Sequence, residues 1–251
     1  AGRGIGGVAV TLYRSDTPGE PRSTKTAADG SFSFTGLPAG IYGVEANWQD
    51  QIGHGRWGIQ IPSGSAPVAV TLTLAQKAGA GGVRGRIQAD AGASLQVRFF
   101  RHSVPDAAHD EWWVRPDTSG AFEVGLPSGD YNVLASASFA DRTLEYQEAM
   151  TIGAGRVVTL DIPLLQSNPS LAEVHGRLRA TSPDVEVESV SISTVGGEAY
   201  RGWSVRFMPG SSPTEFKIAN LRAGTYVVEV QLQDRSVPDE VEYPWYTYRK
   251  T

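Results

Sequence analysis

Residues 29–46 read DGSFSFTGLPAGIYGVEA, and a shorter version of this pattern recurs twice along the chain. The second copy, residues 120–133, reads GAFEVGLPSGDYNV, and the third, residues 215–228, reads EFKIANLRAGTYVV. In each copy a Leu is followed three residues later by Gly, and that Gly is followed two residues later by Tyr. The recurrence predicts three copies of one structural unit.

The first copy alternates in the manner of two strands joined by a turn. Phe32 and Phe34 are separated by a serine, so both rings face the same side of a pleated strand. After the turn, Tyr42 and Val44 again place two apolar groups on one face. A lone hairpin with one apolar face buries too little surface to be stable. Further strands are therefore expected to cover it.

The turn itself has a conformational rationale. Pro38 and Pro127 have the φ angle that the second position of a type I or type II turn requires. We expect Gly40, Gly129 and Gly224 to adopt positive φ, which glycine does without a Cβ clash.

This pattern resembles a known family. The GLPAGIY turn that follows a DGSFSF strand is similar to the carboxypeptidase regulatory-like domain, a relative of the collagen-adhesin B-type repeats. Residues 4–12, GIGGVAVTL, resemble the second strand of that family. The resemblance implies a seven-stranded, transthyretin-like sandwich and says almost nothing about activity.

The spacing of the motif sets the predicted domain organisation. The motif leucines Leu37, Leu126 and Leu221 are 89 (126 − 37) and 95 (221 − 126) residues apart. We therefore predict an all-β protein of three tandem seven-stranded-type, transthyretin-like or immunoglobulin-like sandwiches. Their predicted boundaries are residues 1–76, 80–166 and 172–251. Residues 75–82 and 166–171 are interpreted as short linkers, the first of them flexible.

The outer two units each lack a predicted strand. The second and third begin with VRGRI, residues 83–87, and VHGRL, residues 174–178, but nothing comparable precedes Gly4. The third shows no clear closing strand after Gly224. Either the chain is a piece of a longer protein, or its incomplete sandwiches exchange strands with another chain. In the second case the aromatic tail, residues 243–248, is the candidate donated strand.

Composition excludes several classes of function. The chain has 251 residues, no cysteine and a net charge of −5. The absence of cysteine excludes disulfides and thiolate metal sites. An acidic balance disfavours nucleic acid and anionic membrane surfaces as partners. No stretch approaches the roughly 20 apolar residues of a transmembrane helix.

No catalytic, metal or cofactor site is predicted. Residues 102–111 hold two histidines and three carboxylates, but their spacing matches no zinc pattern, so we interpret them as a solvated acidic loop. Asp29 and Asp117 supply one carboxylate each to their loops, which favours Asx turns over calcium binding. No nucleophile elbow, phosphate loop or dinucleotide motif is present.

The residues that two activities of related families require are also missing here. Adhesin repeats cross-link Lys to Asn, yet residues 78–168 contain no lysine and Lys217 is predicted to face outward. The ending YTYRKT, residues 246–251, is similar to the C-terminal signature of transthyretin-related hydroxyisourate hydrolases. Lys250 departs from that signature, and the family's catalytic histidines have no counterpart here. We interpret the protein as a non-enzyme.

Aromatic side chains are the candidate contact residues. Trp112 and Trp113 are adjacent on a predicted strand, so one of them must face away from the core. Each ring could have one of three roles: stacking on a sugar, burial at a protein interface or packing in the core. The candidates are Trp48, Trp57, Trp112, Trp113, Trp245, Tyr246 and Tyr248.

The sequence thus favours an extracytoplasmic protein (periplasmic, cell-surface or secreted) with a structural or protein-interaction role. It would be a surface or filament component, or an accessory subunit of a larger assembly. Its predicted partners are other protein chains, bound by edge-strand pairing and aromatic contacts. The alternative is an array of carbohydrate-binding modules with a polysaccharide partner. Neither reading involves a cofactor or nucleic acid.

Overall fold

The computed structural model of the protein describes most of the chain. The described residues are 3–17, 19–64, 67–75, 78, 81–102, 109–165, 172–178, 185–195, 201–207, 215–221, 225–234 and 246–250. All regular structure among them is β, as predicted. No helix among these residues is long and apolar enough to cross a membrane.

Seventeen strands follow one another in the described part of the chain. The first repeat has four: β1 (Ala9–Arg14), β2 (Arg22–Lys25), β3 (Gly40–Trp48) and β4 (Ile52–Ile61). The second has seven: β5 (Gly82–Ala89), β6 (Ser94–His102), β7 (His109–Val114), β8 (Ala121–Gly125), β9 (Gly129–Ser138), β10 (Arg142–Ile152) and β11 (Val157–Leu164). The third has six: β12 (Ala172–Arg177), β13 (Val185–Thr194), β14 (Arg201–Phe207), β15 (Glu215–Leu221), β16 (Tyr226–Asp234) and β17 (Tyr246–Lys250).

The second repeat is a seven-stranded sandwich. Four of its strands are neighbours in the order β10-β9-β6-β7, and the other three form a separate sheet in the order β11-β5-β8. Alternate apolar residues of both sheets, including Phe99 and Val133 from one and Val83 and Ile162 from the other, belong to one buried cluster. Shared burial of the two inner faces is what holds a sandwich together.

The turn motif contains a tyrosine corner. The hydroxyl of Tyr42 donates to the carbonyl oxygen of Pro38 at 2.9 Å, and Tyr131 donates to the carbonyl of Pro127 at 2.8 Å. Burial raises the pKa of Tyr131 to about 12, so this hydroxyl keeps its proton at ordinary pH. The motif thus ties each strand back to the turn that precedes it.

The glycines of the turn differ between repeats. Gly129 has φ 153°, but in the first repeat the positive φ lies at Gly36, at 65°, and not at Gly40 as expected. The first repeat has one residue more than the second between the Phe-containing stretch and the motif leucine, and Gly224 lies outside the described residues.

The larger sheets of the three repeats are joined edge to edge. They form a single 12-stranded sheet in the order β17-β16-β13-β14-β10-β9-β6-β7-β4-β3-β1-β2. Strand β4 of the first repeat pairs with β7 of the second, and β10 of the second pairs with β14 of the third, both antiparallel. We call these pairings the first and second junctions. Strand pairing across a repeat boundary was not predicted.

The described part of the first linker is also anchored. The backbone N–H of Ala78 donates to Glu123 at 3.0 Å, and the carbonyl of Ala75 accepts from Gly125 at 2.7 Å. Ala78 is 2% exposed. The prediction of a flexible linker is therefore wrong for these residues, because they are bonded to the second sandwich.

Two segments of the first repeat form no strand, among them the one predicted around Phe32 and Phe34. Residues 31–35 and 68–74 are not assigned to any strand, although their counterparts in the second repeat are β8 and β11. In the second repeat β5 lies between those two strands and pairs with both. Among the described residues of the first repeat, no strand lies in that position.

The predicted tail strand forms, but within its own sheet. β17 pairs antiparallel with β16, from Val228 opposite Lys250 to Leu232 opposite Tyr246. In this structure one edge of residues 246–250 is thus paired within the same chain, and residues 243–245 of the predicted tail lie outside the described residues.

Candidate functional site

The first junction brings together charged and aromatic side chains of two repeats. β4 and β7 run antiparallel from Ile52 opposite Val114 to Trp57 opposite His109. Because side chains alternate, residues on one face of the sheet point into the sandwiches and those on the other face point outward.

On the inward face an ion pair between a partly exposed arginine and a buried carboxylate crosses the junction. Nη1 of Arg56 in β4 lies 3.0 and 3.1 Å from the two carboxylate oxygens of Asp110 in β7. Asp110 is 6% exposed, and Nε2 of His54 lies 3.6 Å from its Oδ1. Burial alone would raise the pKa of Asp110, but His54 and Arg56 together lower it below its usual value. The carboxylate is therefore ionised at neutral pH.

His54 connects this ion pair to the unpaired segment of the first repeat. The backbone N–H of Thr73 donates to its Nδ1 at 2.7 Å. An accepting Nδ1 is unprotonated, which in a neutral ring places the proton on Nε2, the nitrogen that faces Asp110. The ring also stacks on Trp112, with centroids 4.2 Å apart and planes 14° apart.

Trp112 fixes the same segment from the other side. Its indole Nε1 donates to the carbonyl oxygen of Thr73 at 3.3 Å, and its side chain is 2% exposed. Both backbone groups of Thr73 are therefore bonded to side chains of the junction. These two bonds hold Thr73 against the junction.

On the outward face lies an open pocket of about 310 Å³, bounded by β3, β4, β6 and β7. Trp57 and Trp113 line it together with polar side chains: Glu45, Asn47, Asp50, Gln96, Arg98, Glu111 and Arg115. Nε1 of Trp113 donates to Glu45 at 3.2 Å, and Glu111 forms an ion pair with Arg98. The carboxylates of Glu45 and Glu111 are thus already bonded to neighbouring donors.

Both indole rings lie directly on the backbone of neighbouring strands. A Cβ built on Gly43 would lie 2.0 Å from the ring of Trp57, and one on Gly53 would lie 2.1 Å from Trp113. Glycine at these positions allows the rings to approach. Trp113 is 9% exposed, while Trp57 is half-buried and its Nε1 has no partner in the described structure.

The second junction is packed by aromatic rings. Strands β10 and β14 pair from Arg142 opposite Phe207 to Glu148 opposite Arg201. Across the pairing Tyr146 and Trp203 make an edge contact, with ring centroids 5.5 Å apart. The hydroxyl of Tyr146 also donates to Glu148 at 2.5 Å.

The structure places the predicted contact residues in different settings. Trp112 and Trp113 do face opposite sides, as alternation predicts, but neither is offered to solvent as an open ring. Trp48 is half-buried and packs against two buried clusters, the one in the second repeat and one in the first repeat that contains Val10 and Val44. Tyr246 and Tyr248 lie in β17, of which only the backbone is described, and Trp245 lies outside the described residues. Among the candidates whose side chains are described, Trp57 alone combines a half-exposed ring with a pocket.

The acidic stretch before Trp112 differs from the solvated loop that the sequence predicts. Asp110 and Glu111 are 6% and 7% exposed, so the prediction of a solvated loop is wrong for these two residues. Their partners, Arg56 and Arg98, lie on neighbouring strands, which local spacing does not reveal. Residues 103–108 of this stretch lie outside the described residues, and within the described ones no group of three or more His, Asp or Glu is arranged to hold a metal.

The carboxylates of the corner loops act as predicted. Oδ1 of Asp29 accepts from the backbone N–H of Ser31 at 2.9 Å, and Oδ1 of Asp117 accepts from Ser119 at 2.8 Å. These are Asx turns, which order the chain before the corner strand. The hydrogen bonds from the following serine hold the pKa of both carboxyls below its usual value.

Comparison with known proteins identifies no family for this chain. No protein-family profile and no curated protein matches the sequence. Among solved structures, the minor pilin of the Gram-positive pathogen Streptococcus agalactiae is 18% identical, with 66% of this chain and 85% of that one covered and a TM-score of 0.25. A streptococcal ancillary pilin is 9% identical, with 99% and 89% covered and a TM-score of 0.26. TM-scores of this size establish no common fold, and no functional conclusion follows from them.

Proposed function

We propose that the protein is a non-enzymatic extracytoplasmic scaffold, either a component of a surface structure or filament or an accessory subunit of a larger assembly. The observation that carries this proposal is the continuous 12-stranded sheet. Strands lie about 4.8 Å apart, so twelve of them extend the chain over roughly 50 Å in one direction. Modules that share backbone hydrogen bonds resist bending at their boundaries, which suits a structural spacer.

The side chains at the first junction support the same role. The inward carboxylate of Asp110 is neutralised by Arg56, and the outward carboxylate of Glu111 by Arg98. The Arg56–Asp110 pair crosses the boundary and stabilises it, whereas Arg98 and Glu111 both belong to the second repeat. Carboxylates paired in this way are poorly placed to exchange protons with a substrate. The partners of the assembly are proposed to be other protein chains.

The native size and location of the protein test this proposal. In cells that produce it, we expect the chain in the extracytoplasmic fraction, within a complex larger than its own 26.8 kDa. Recovery as a free chain from the cytoplasmic fraction would contradict the proposal. Mass spectrometry of the co-purifying chains would identify the partners.

The three sequence units are proposed to be separate domains, residues 1–76, 80–166 and 172–251. The second contains all seven strands of a sandwich and is expected to fold alone, with a cooperative thermal transition by circular dichroism. A non-cooperative transition for residues 80–166 would mean that the junctions are needed for folding.

A carbohydrate-binding role is the second candidate, and the pocket beside the first junction favours it. Sugar sites combine an aromatic ring with several polar groups, and this pocket offers Trp57 among amides, carboxylates and guanidinium groups. On a glycan array, binding that is lost in Trp57→Ala and retained in Trp57→Phe would support it. The absence of binding by the wild type would leave the structural role alone.

A further inference from the structure

The two junctions pair their strands in the same register. β4 and β10 are equivalent strands, since β4 pairs with β3 and β10 with β9, the two strands that carry the motif tyrosine. At both junctions a ring of the earlier repeat lies opposite a tryptophan of the later one: His54 opposite Trp112, and Tyr146 opposite Trp203. Residues equally far from these pairs therefore occupy equivalent positions.

Two packed layers recur at both junctions. Two positions before the ring, an aliphatic side chain lies opposite a valine: Ile52 opposite Val114, and Leu144 opposite Val205. All four side chains are at most 8% exposed. In the next layer the ring packs on the tryptophan, with centroids 4.2 Å apart at the first junction and 5.5 Å apart at the second. Both boundaries are thus packed in the same way.

The sequence carries the same pattern on both sides of each junction. β4 and β10 place an aliphatic residue, a ring and a charge at alternate positions, and β7 and β14 place a charge, a tryptophan and a valine. β2, which takes the position of β7 in the first repeat, reads RSTK and has no tryptophan. The pattern therefore accompanies the junctions rather than the sandwich. The segments are IGHGR (residues 52–56), LEYQE (144–148), DEWWV (110–114) and RGWSV (201–205).

The third layer is ionic, and its charges are reversed between the junctions. Arg56 of β4 contacts Asp110 of β7 at 3.0 Å, whereas Glu148 of β10 lies opposite Arg201 of β14. The cation thus belongs to the earlier repeat at the first junction and to the later repeat at the second. Asp110 and Glu148 are 6% and 9% exposed. A buried carboxylate needs an opposite charge or hydrogen-bond donors beside it, so each constrains the residue that lies opposite.

The shared layers make an exchange of partners a hazard for this chain. Because the register and the first two layers agree, those layers would accept β4 on β14 and β10 on β7. We call these the exchanged pairings; misassembly of this kind is a characteristic failure of tandem repeats. The ionic layer opposes both of them. One would place Arg56 opposite Arg201, and the other would place Glu148 opposite Asp110, and like charges at an interface exclude a wrong partner.

We propose that the ionic layer determines which edges of the repeats join, and so fixes the order of the repeats in the 12-stranded sheet. The residues that carry this specificity are Arg56 with Asp110 and Glu148 with Arg201. Each pair holds its own junction and also rejects the partner of the other junction. The proposal goes beyond the proposed function and does not depend on it, since it concerns how the repeats join and not what the assembly does.

Reversing the charges of the second junction tests the proposal. The double variant Glu148→Arg with Arg201→Glu keeps opposite charges within that junction but gives it the polarity of the first. Both exchanged pairings then become complementary in charge, while both native junctions keep an ion pair. Glu148→Gln is the matched control, because it weakens the second junction without making either exchanged pairing complementary.

Introduced cysteines report the exchange directly, because the chain has none of its own. If β4 took the place of β10 on β14, Gln51 would take the position of Thr143, opposite Arg206. Gln51→Cys and Arg206→Cys are therefore placed on separate copies of the full chain, which are unfolded in urea, refolded together and oxidised. A disulfide needs its two Cα atoms within about 7 Å of each other, so the mixed dimer records β4 of one copy on β14 of the other.

The yield of mixed dimer decides the outcome. We expect about fivefold or more in the charge-reversed background than in the wild type, and a yield within about twofold of the wild type in the Glu148→Gln background. A merely stabilising ion pair would raise the yield in the control, where the junction is weakened, and not in the reversed protein. Equal yields in the reversed and wild-type backgrounds would overturn the proposal, since the first two layers alone would then choose the partner.

A second comparison applies if the charge-reversed protein does not fold. Arg56→Glu and Arg56→Gln both lose the contact with Asp110, but only the first makes β4 complementary to Arg201. With the same cysteine reporters, the Glu variant should give about fivefold or more mixed dimer than the Gln variant. Equal amounts from the two would contradict the proposal.

Discussion

Replacing Asp110 by Asn tests the electrostatic bond across the first junction. The substitution keeps the size of the side chain and removes the charge that Arg56 contacts at 3.0 and 3.1 Å. Loss of one partner from a fully buried ion pair costs roughly 3–5 kcal/mol. The Arg56 side chain is 39% exposed and regains water in the variant, so we expect a smaller loss of about 1–3 kcal/mol.

The effect should depend on pH in a defined direction. The pKa of Asp110 is lowered in the folded protein: burial raises it, but His54 and Arg56 outweigh burial. A group whose pKa is lower in the folded than in the unfolded state stabilises the fold above the unfolded pKa. For Asp that value is about 3.9, so the advantage of the wild type persists from neutral pH to about pH 5 and declines as pH falls below about 4.

Urea denaturation of the wild type and of Asp110→Asn at several pH values measures both predictions. Asp161→Asn, at an exposed position in β11, is the matched control and should change the free energy of unfolding by less than about 0.5 kcal/mol. A double-mutant cycle with Arg56→Met isolates the pair. If the two Asn variants are equally stable at neutral pH, or if no coupling with Arg56 is found, the ion pair does not stabilise the junction.

Two further substitutions test the sandwich itself. Tyr131→Phe removes the hydroxyl that donates to Pro127 at 2.8 Å and should lower the free energy of unfolding by about 1 kcal/mol; an unchanged urea midpoint would show that the corner bond adds nothing. Gly85→Val in the full chain places a side chain 2.7 Å from Phe122 and should cost about 2–4 kcal/mol, seen as a lower thermal midpoint. Gly19→Ala, with open space around its Cβ, is the control; equal midpoints for the two variants would refute the steric argument.

Several features of the fold were accessible from the sequence because they depend on residues close together in the chain. Alternation of apolar residues identifies strands such as β8 and β9, and the Pro and Gly of the motif identify the turn between them. The Asx turns at Asp29 and Asp117 are local for the same reason. The repeat itself follows from comparison of the chain with itself.

The junction and its pocket depended on contacts between distant parts of the chain. Arg56 and Asp110 are 54 residues apart, and no local pattern indicates that β4 and β7 are neighbours. Without that pairing, Asp110 is one of several acids in a polar stretch and is expected in solvent. Which of Trp112 and Trp113 faces inward is likewise decided by the register, since alternation alone requires only that they differ.

The sequence by itself determined that the protein is all-β, where most of its strands lie, and that one turn motif recurs three times along the chain. These properties follow from local alternation, turn chemistry and internal comparison. Only the tertiary structure decided that the three larger sheets join into one, and that Phe32 and Leu72 border a position no described strand fills. The physical reason is that strand pairing and burial depend on which sheet edges meet in space. The sequence of an edge strand shows little about which strand it will pair with.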